Sequence, residues 1–236
     1  MAQALYSEWF VEFRFPGHEK VKMVESELGG MPEGWEVKKL ADFGKVITGK
    51  TPSKKVPENF GDFIPFIKTP DMHDSMFCLQ TGEHLSEIGA LTQKNQTLPR
   101  NSLCVSCIGT AGIVSITSSK AQTNQQINSI VLHDKQSREF LYFSLLGLKE
   151  TINQYGATGA TMVNLNKSKF EALKLICPSS KVISEYNDMM CVQFELIKKL
   201  SMKNIILRST RDLLLPKLIS GEVDVSSLAI PTGELT

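Results

Sequence analysis

The period of the hydrophobic positions changes along the chain. In residues 2–13 (AQALYSEWFVEF), Leu5, Tyr6, Trp9, Phe10 and Phe13 fall at i, i+1, i+4, i+5 and i+8, one face of a short amphipathic helix. So aromatic a face must be buried, and Pro16-Gly17 ends the helix. Residues 16–34 are charged and close on Gly29-Gly30 and Pro32-Glu33-Gly34, which reads as a linker. From 35 to 178 short apolar stretches alternate with turn residues. Strand-length runs lie at 63–67, 103–108, 113–117, 127–132 and 173–177, several β-branched and bounded by Gly, Pro, Asn or Ser. Residues 138–154 are helical in period, while 40–47 and 84–90 show no clear one. This segment predicts one mixed α/β globular domain.

Beyond residue 179 the period lengthens to alternating threes and fours. Ser179 and Ser180 offer N-caps. Ile183, Tyr186, Met190, Gln193, Ile197, Leu200, Asn204, Leu207, Arg211, Leu214 and Leu218 then form a coiled-coil seam, its polar members setting register and partner. Pro216 is expected to end or kink this helix, and Gly221 to stop it. A helix over 182–215 is about 50 Å long at ~1.5 Å per residue. It has no second helix of matching length in the chain, so its seam needs a partner copy or another protein. The alternative is a helix folded back on its own domain. The fold class expected is therefore α+β: a mixed α/β domain followed by a long coiled-coil helix. Its divisions are a helix at 1–15, a linker at 16–34, the domain at 35–178, the long helix at 179–221 and a tail at 222–236.

Composition excludes some classes. The chain has 236 residues, 42% apolar and 22% charged, which is globular rather than disordered. No apolar run approaches the ~20 residues of a membrane helix. The first residues lack the apolar core of a secretion signal, and five irregularly spaced cysteines predict reduced thiols in the cytoplasm. Net charge is +1, but its distribution is uneven. No acid occurs from Ile88 to His133, and residues 44–60 hold Lys45, Lys50, Lys54 and Lys55 against Glu58. The basic charge sits in Gly-rich polar segments, as a DNA-facing surface requires.

Residues 44–51 (GKVITGKT) satisfy the phosphate-loop pattern G-x-x-x-x-G-K-[ST]. That chemistry needs a buried strand before the loop and a helix after it. The residues that follow, PSKKVPENFG, cannot run as a helix. An NTP-binding or phosphate-binding enzyme built on 44–51 is the alternative reading. Cys104-x-x-Cys107 has no second pair at zinc spacing, and the four histidines are scattered, so the pair reads as buried apolar residues and no metal is expected. No catalytic constellation emerges. What remains is a set of polar, glycine-bearing loops: 49–55, 68–71, 109–112, 124–126 and 156–161. Lysines and hydroxyls contact phosphate, Asn and Gln can pair with adenine, and glycine lets backbone amides approach closely. The candidate DNA-binding residues are Lys50, Thr51, Ser53, Lys54, Lys55, Lys68, Thr110, Asn124, Gln125, Gln126, Thr158 and Thr161. The candidate helix contacts are Ile183, Tyr186, Met190, Ile197, Leu200, Asn204, Leu207 and Leu214.

Nearly the whole chain resembles the specificity subunits of type I restriction–modification systems. The resemblance rests on Pro32-Glu33-Gly34-Trp35 with Leu40-Ala41-Asp42, on Gly49-Lys-Thr-Pro-Ser53 with Ile64-Pro65-Phe66, and on Leu98-Pro99-Arg100-Asn101-Ser102 with Ile108-Gly109-Thr110-Ala111-Gly112. It continues through Asn124-Gln125-Gln126-Ile127, the GATGAT at 156–161, and RDLLLPKLISGE at 211–222. Its order and spacing absorb the phosphate-loop match. The resemblance implies a subunit with no catalytic activity that reads half of a bipartite site on double-stranded DNA through a target recognition domain. It implies that paired helices space the two halves and dock the modification methyltransferase, with the restriction subunit joining indirectly. S-adenosylmethionine, ATP and magnesium then belong to those partners, and this chain binds no cofactor. The family's usual subunit holds two recognition domains in roughly twice this length. This chain is similar to the second half of one, either a natural half-subunit or a fragment, and with its unpaired seam a homodimer through the C-terminal helix is expected.

Overall fold

The computed structural model describes residues 2–73, 75–156 and 164–225. Two compact units emerge, Met1–Glu195 and Leu196–Thr236. The elements in chain order are α1 (Ala2–Tyr6), β1 (Met23–Ser26), β2 (Gly29–Pro32), β3 (Glu36–Lys39), α2 (Leu40–Phe43), β4 (Gly44–Thr48) and β5 (Phe60–Ile67). Next come β6 (Phe77–Cys78), β7 (Glu83–Leu85), α3 (Glu87–Thr92), β8 (Leu103–Ser106), β9 (Val114–Thr117), β10 (Gln122–Thr123) and β11 (Ile127–Leu132). The chain continues through α4 (Arg138–Gly147), α5 (Lys149–Gly156), α6 (Lys167–Glu171), β12 (Lys174–Cys177) and α7 (Ser180–Ile219).

The centre is a five-stranded sheet in the order β4-β11-β8-β9-β6. Ile127 and Ile130 of β11, Leu103 and Val105 of β8 and Ile116 of β9 are all buried, so the β-branched runs become strands with little solvent on either face. A second sheet, β10-β5-β7, joins β10 to β5 in parallel through Gln122–Phe66 and Thr123–Ile67. Gln122 lies wholly inside and is satisfied: its side-chain amide donates to the Ala90 carbonyl at 3.0 Å and to Thr97 Oγ1 at 2.8 Å.

The N-terminal helix forms but is shorter than its periodicity predicts: α1 is followed by a π-helical turn over Ser7–Val11, and Phe13, at φ +56°, lies beyond its end. Its aromatic face meets α4 and the first turns of α7. Phe10 lies 4.9 Å from Phe140 and 4.8 Å from Tyr186, centroid to centroid, both edge-on, and Trp9 lies 5.8 Å from Tyr186. Phe10 also reaches Trp35 at 6.1 Å. Residues 16–34 are not a linker. Met23–Ser26 and Gly29–Pro32 pair as an antiparallel hairpin, closed by Ser26 Oγ donating to the Gly29 carbonyl at 2.7 Å. Most of the hairpin is exposed, so it carries no apolar alternation to betray it. The segment 40–47 splits between one short helical turn and strand β4.

The long helix runs through Pro216 to Ile219 and ends at Gly221, whose φ is +74°. Its 40 residues span about 60 Å. The seam is divided. Ile183, Tyr186 and Met190 are buried within the first unit, with Phe194 beside them, so those three are core residues and not partner contacts. Phe194 packs edge-on to Tyr142 at 5.7 Å and Phe143 at 5.8 Å. In the second unit Leu200, Leu207 and Leu214 are 50%, 64% and 44% exposed, and Asn204 is exposed; Ile197 is partly covered. Among the described residues no helix is long and apolar enough to cross a membrane.

Candidate nucleic-acid interface

Strand register sets where the loops go. Thr48 of β4 faces Asn128, Ile127 of β11 faces Ser106, and Val114 faces Val105. The loops after Thr48, before Ile127 and between Ser106 and Val114 therefore leave the same end of the sheet. The neighbouring sheet adds its own loop there, because Thr123 pairs Ile67 and the Asn124 amide donates to the Ile67 carbonyl at 3.0 Å.

Backbone bonds lock these loops together. Gly49 donates to Ile127 O and Lys50 to Thr123 O, both at 3.0 Å. Cys107 donates to Gln126 O at 2.7 Å, Leu165 to Cys107 O at 2.9 Å, and Asn164 to Gly156 O at 3.1 Å. The flanks of the 156–161 segment thus meet the same cluster, through an Ile108–Asn164 bridge. Gly49 makes the junction feasible: a Cβ there would lie 2.0 Å from the Asn124 carbonyl oxygen.

The side chains divide by what they are bound to. Lys50, Ser53, Lys54, Lys55, Thr110 and Gln125 are exposed, and Thr51 Oγ1 donates to Gln125 Oε1 at 2.5 Å. Gln126 is half-buried with Oε1 accepting from Asn124 Nδ2 at 2.9 Å. Asn124 is buried, and its Oδ1 accepts from the Gln126 amide at 3.1 Å, so it builds the turn and offers little to a base edge. Lys68 is committed to a partly exposed ion pair: its Nζ donates to Glu83 Oε1 at 2.5 Å. That bond holds the Glu83 carboxyl below the usual carboxylate range, with the nearby charge of Lys54 adding to the effect. Thr158 and Thr161 lie outside the described residues. Lys149, at the start of α5, was missed by the sequence reading. A Cβ on Gly112 would lie 2.6 Å from its Cγ, so this exposed cation stands directly on the 109–112 loop. Nothing in the sequence links positions 112 and 149; the tertiary fold does.

The phosphate-loop alternative fails on geometry. Gly44–Thr48 is itself a strand paired with β11, and Gly44 serves close backbone contact, a Cβ there lying 2.3 Å from the Val131 carbonyl oxygen. No helix follows Thr51; the next element is a short 3-10 turn at Pro57–Asn59. Burial pushes the thiols of Cys104 and Cys107 up to about 12 and about 11, away from metal-binding thiolate. Among the described residues no group of three or more His, Cys, Asp or Glu is placed to hold a metal.

Residues 32–201 match the family described as type I restriction modification DNA specificity domain. The chain belongs to this family. Its relatives include the specificity subunit of the type I restriction enzyme HindI of Haemophilus influenzae, 45% identical over 195 residues, which are 82% of this chain and 42% of that protein. The MjaIX specificity subunit of Methanocaldococcus jannaschii is 26% identical over 83% of this chain and 47% of its own length. The chain thus spans less than half the length of these relatives. The fold is similar to that of the HsdS subunit from Thermoanaerobacter tengcongensis (TM-score 0.52, 14% identity, 94% of this chain and 50% of that one). It is also similar to the S subunit of the type I restriction-modification system from M. genitalium (TM-score 0.55, 17% identity, 79% and 46%). A mixed α/β domain followed by a long helix is the architecture this specificity-domain chain shares with them.

Proposed function

We propose that this chain is a DNA sequence-recognition subunit of a type I restriction–modification complex and catalyses no reaction itself. The observation that carries the reading is the convergence of the 49–55, 109–112 and 124–126 loops on one sheet end, exposing Lys50, Lys54, Thr110 and Gln125 beside the half-buried Thr51. Exposed lysines there contact phosphate, and Gln125 and Thr110 stand where a base edge or sugar passes. The relatives' names support the same role, since both are specificity subunits. In this reading the methyltransferase docks on the long helix and brings S-adenosylmethionine. The restriction subunit brings ATP and magnesium, and the complex works in the cytoplasm. The exposed Leu200, Leu207 and Leu214 pair with a second copy, so two recognition domains read two half-sites.

Fluorescence anisotropy of labelled duplexes over a salt series tests it. Binding should weaken steeply with salt, and Lys50→Ala should lower the slope of log K against log[salt] by about one. A slope unchanged by alanine at Lys50, Lys54 and Lys55 together would remove this sheet end from the interface. Any calorimetric response to ATP should be unchanged by Lys50→Ala, because residues 44–51 do not form a phosphate loop.

A further inference from the structure

The opposite end of the central sheet carries a second, separate set of cations. Gly44, Leu132 and Leu103 mark that end, and β4's five residues at ~3.3 Å each put it about 15 Å from the recognition loops. A cavity of about 360 Å³ opens there, lined by Arg100, Asn101, Ser102, Leu132, Lys135 and Arg138 among others. Its cations come from three elements: the segment before β8, the turn after β11, and the first turn of α4.

The carboxylates that meet the cavity's two arginines, Glu139 and Glu195, lie outside its lining. Arg138 is nearly buried and gives Nε (3.0 Å) and Nη2 to Glu139 Oε1. Its Nη1 finds Glu195 Oε1 at 4.0 Å. Arg100 Nη2 finds Glu195 Oε2 at 3.6 Å. Both separations exceed hydrogen-bond length, so one carboxylate is stretched between two guanidiniums and fits neither. Asn101 adds strain and an unmet polar atom. Its φ is +69°, and its buried Oδ1 has no hydrogen-bond partner. The lining holds three cations, Arg100, Lys135 and Arg138, and no carboxylate.

We propose that this cavity is a binding site for a phosphate-class oxyanion, which displaces the Glu195 carboxylate from Arg100 and Arg138. A tetrahedral anion spreads up to four oxygens in three dimensions toward three cations, against a carboxylate's two in one plane. A hydroxyl on a free phosphate or on its monoester can donate to Asn101 Oδ1, which a duplex phosphodiester cannot do. The volume lies at the small end of ligand pockets and accepts a phosphate with a sugar attached. The source is either a free phosphate or nucleotide, or a phosphodiester of bound duplex.

Calorimetric titration of the full chain with inorganic phosphate and with AMP, at constant ionic strength balanced by chloride, tests the site. Wild type should bind. Arg100→Ala with Lys135→Ala should weaken binding at least about tenfold, and Glu195→Gln should strengthen it by about tenfold, since it removes the competing anion. The two variants move in opposite directions, so a general loss of folding cannot imitate the result. Equal affinity in all three proteins, or weaker binding by Glu195→Gln, overturns the proposal. A competition arm assigns the source. Loss of phosphate binding on saturation with duplex identifies a phosphodiester in the cavity, and retention identifies a free phosphate ligand.

Discussion

Gly49 is the residue on which the recognition end closes. With the Asn124 carbonyl oxygen 2.0 Å and Thr123 Oγ1 2.3 Å from the position of a Cβ, Gly49→Ala must separate two loops that Lys50 and Thr123 otherwise bond together. The expected cost is about 1–3 kcal/mol in urea unfolding, with a loss of duplex affinity that Lys54→Ala at matched salt does not reach. Lys68 and Glu83 support a second prediction. Glu83's folded pKa lies below its ordinary 4.5, so the pair's contribution is fully present above that value and lost as pH falls through the lower folded value. The stability gap between wild type and Lys68→Met should therefore shrink on acidification below 4.5. Glu83→Gln should release Lys68 to phosphate and raise the salt slope of binding by about one. The exposure of Lys50, Lys54 and Lys55 was legible in sequence because residues 50–55 are polar and hold no acid of their own. The fate of Lys68 was not, because its partner lies on β7, fifteen residues away.

At the scale of elements, α7 performs two tasks that a uniform periodicity conceals. Tyr186 is wholly buried, its ring 4.8 Å from Phe10 and its phenol pushed up by that burial, whereas Leu207 is 64% exposed. Tyr186→Ala should cost about 3–5 kcal/mol in urea unfolding of the dilute chain, while Leu207→Ala should change it by less than about 0.5 kcal/mol. Equal losses would mean that the whole seam packs on its own domain. The alternating threes and fours identified the helix and its apolar side. They could not say what covers that side, because a helix stripe facing its own domain and one facing a partner read alike. Strands β8, β9 and β11 were legible from β-branched runs that burial demands. The β1–β2 hairpin was hidden for the opposite reason, since Glu25 and Gly29 face solvent and leave no alternation. Strand β4 was obscured by Lys45 and by glycines at both ends, which serve close contacts to Val131 and Asn124.

For the whole molecule, the exposed leucines of α7 bear on the proposed reading of a bipartite site. A chain that spans less than half of its relatives carries one recognition domain, and Leu200, Leu207 and Leu214 leave an apolar stripe in water. Pairing that stripe with a second copy covers it and supplies the second domain. Light scattering across a hundredfold concentration range should show a mass near twice 26.2 kDa. Leu207→Asp with Leu214→Asp should return the mass to one chain, with the thermal unfolding of the first unit unchanged. A monomer throughout would assign the stripe to the methyltransferase alone. Pairing also constrains the DNA. Two identical domains related by a two-fold axis present the same loops in opposite senses, so the bipartite site must be palindromic. Methylome sequencing of cells carrying this chain with its modification partner should yield a symmetric motif with an unread spacer. An asymmetric motif would require a second, different recognition domain in the complex, and the exposed stripe would then be the seat of that missing half.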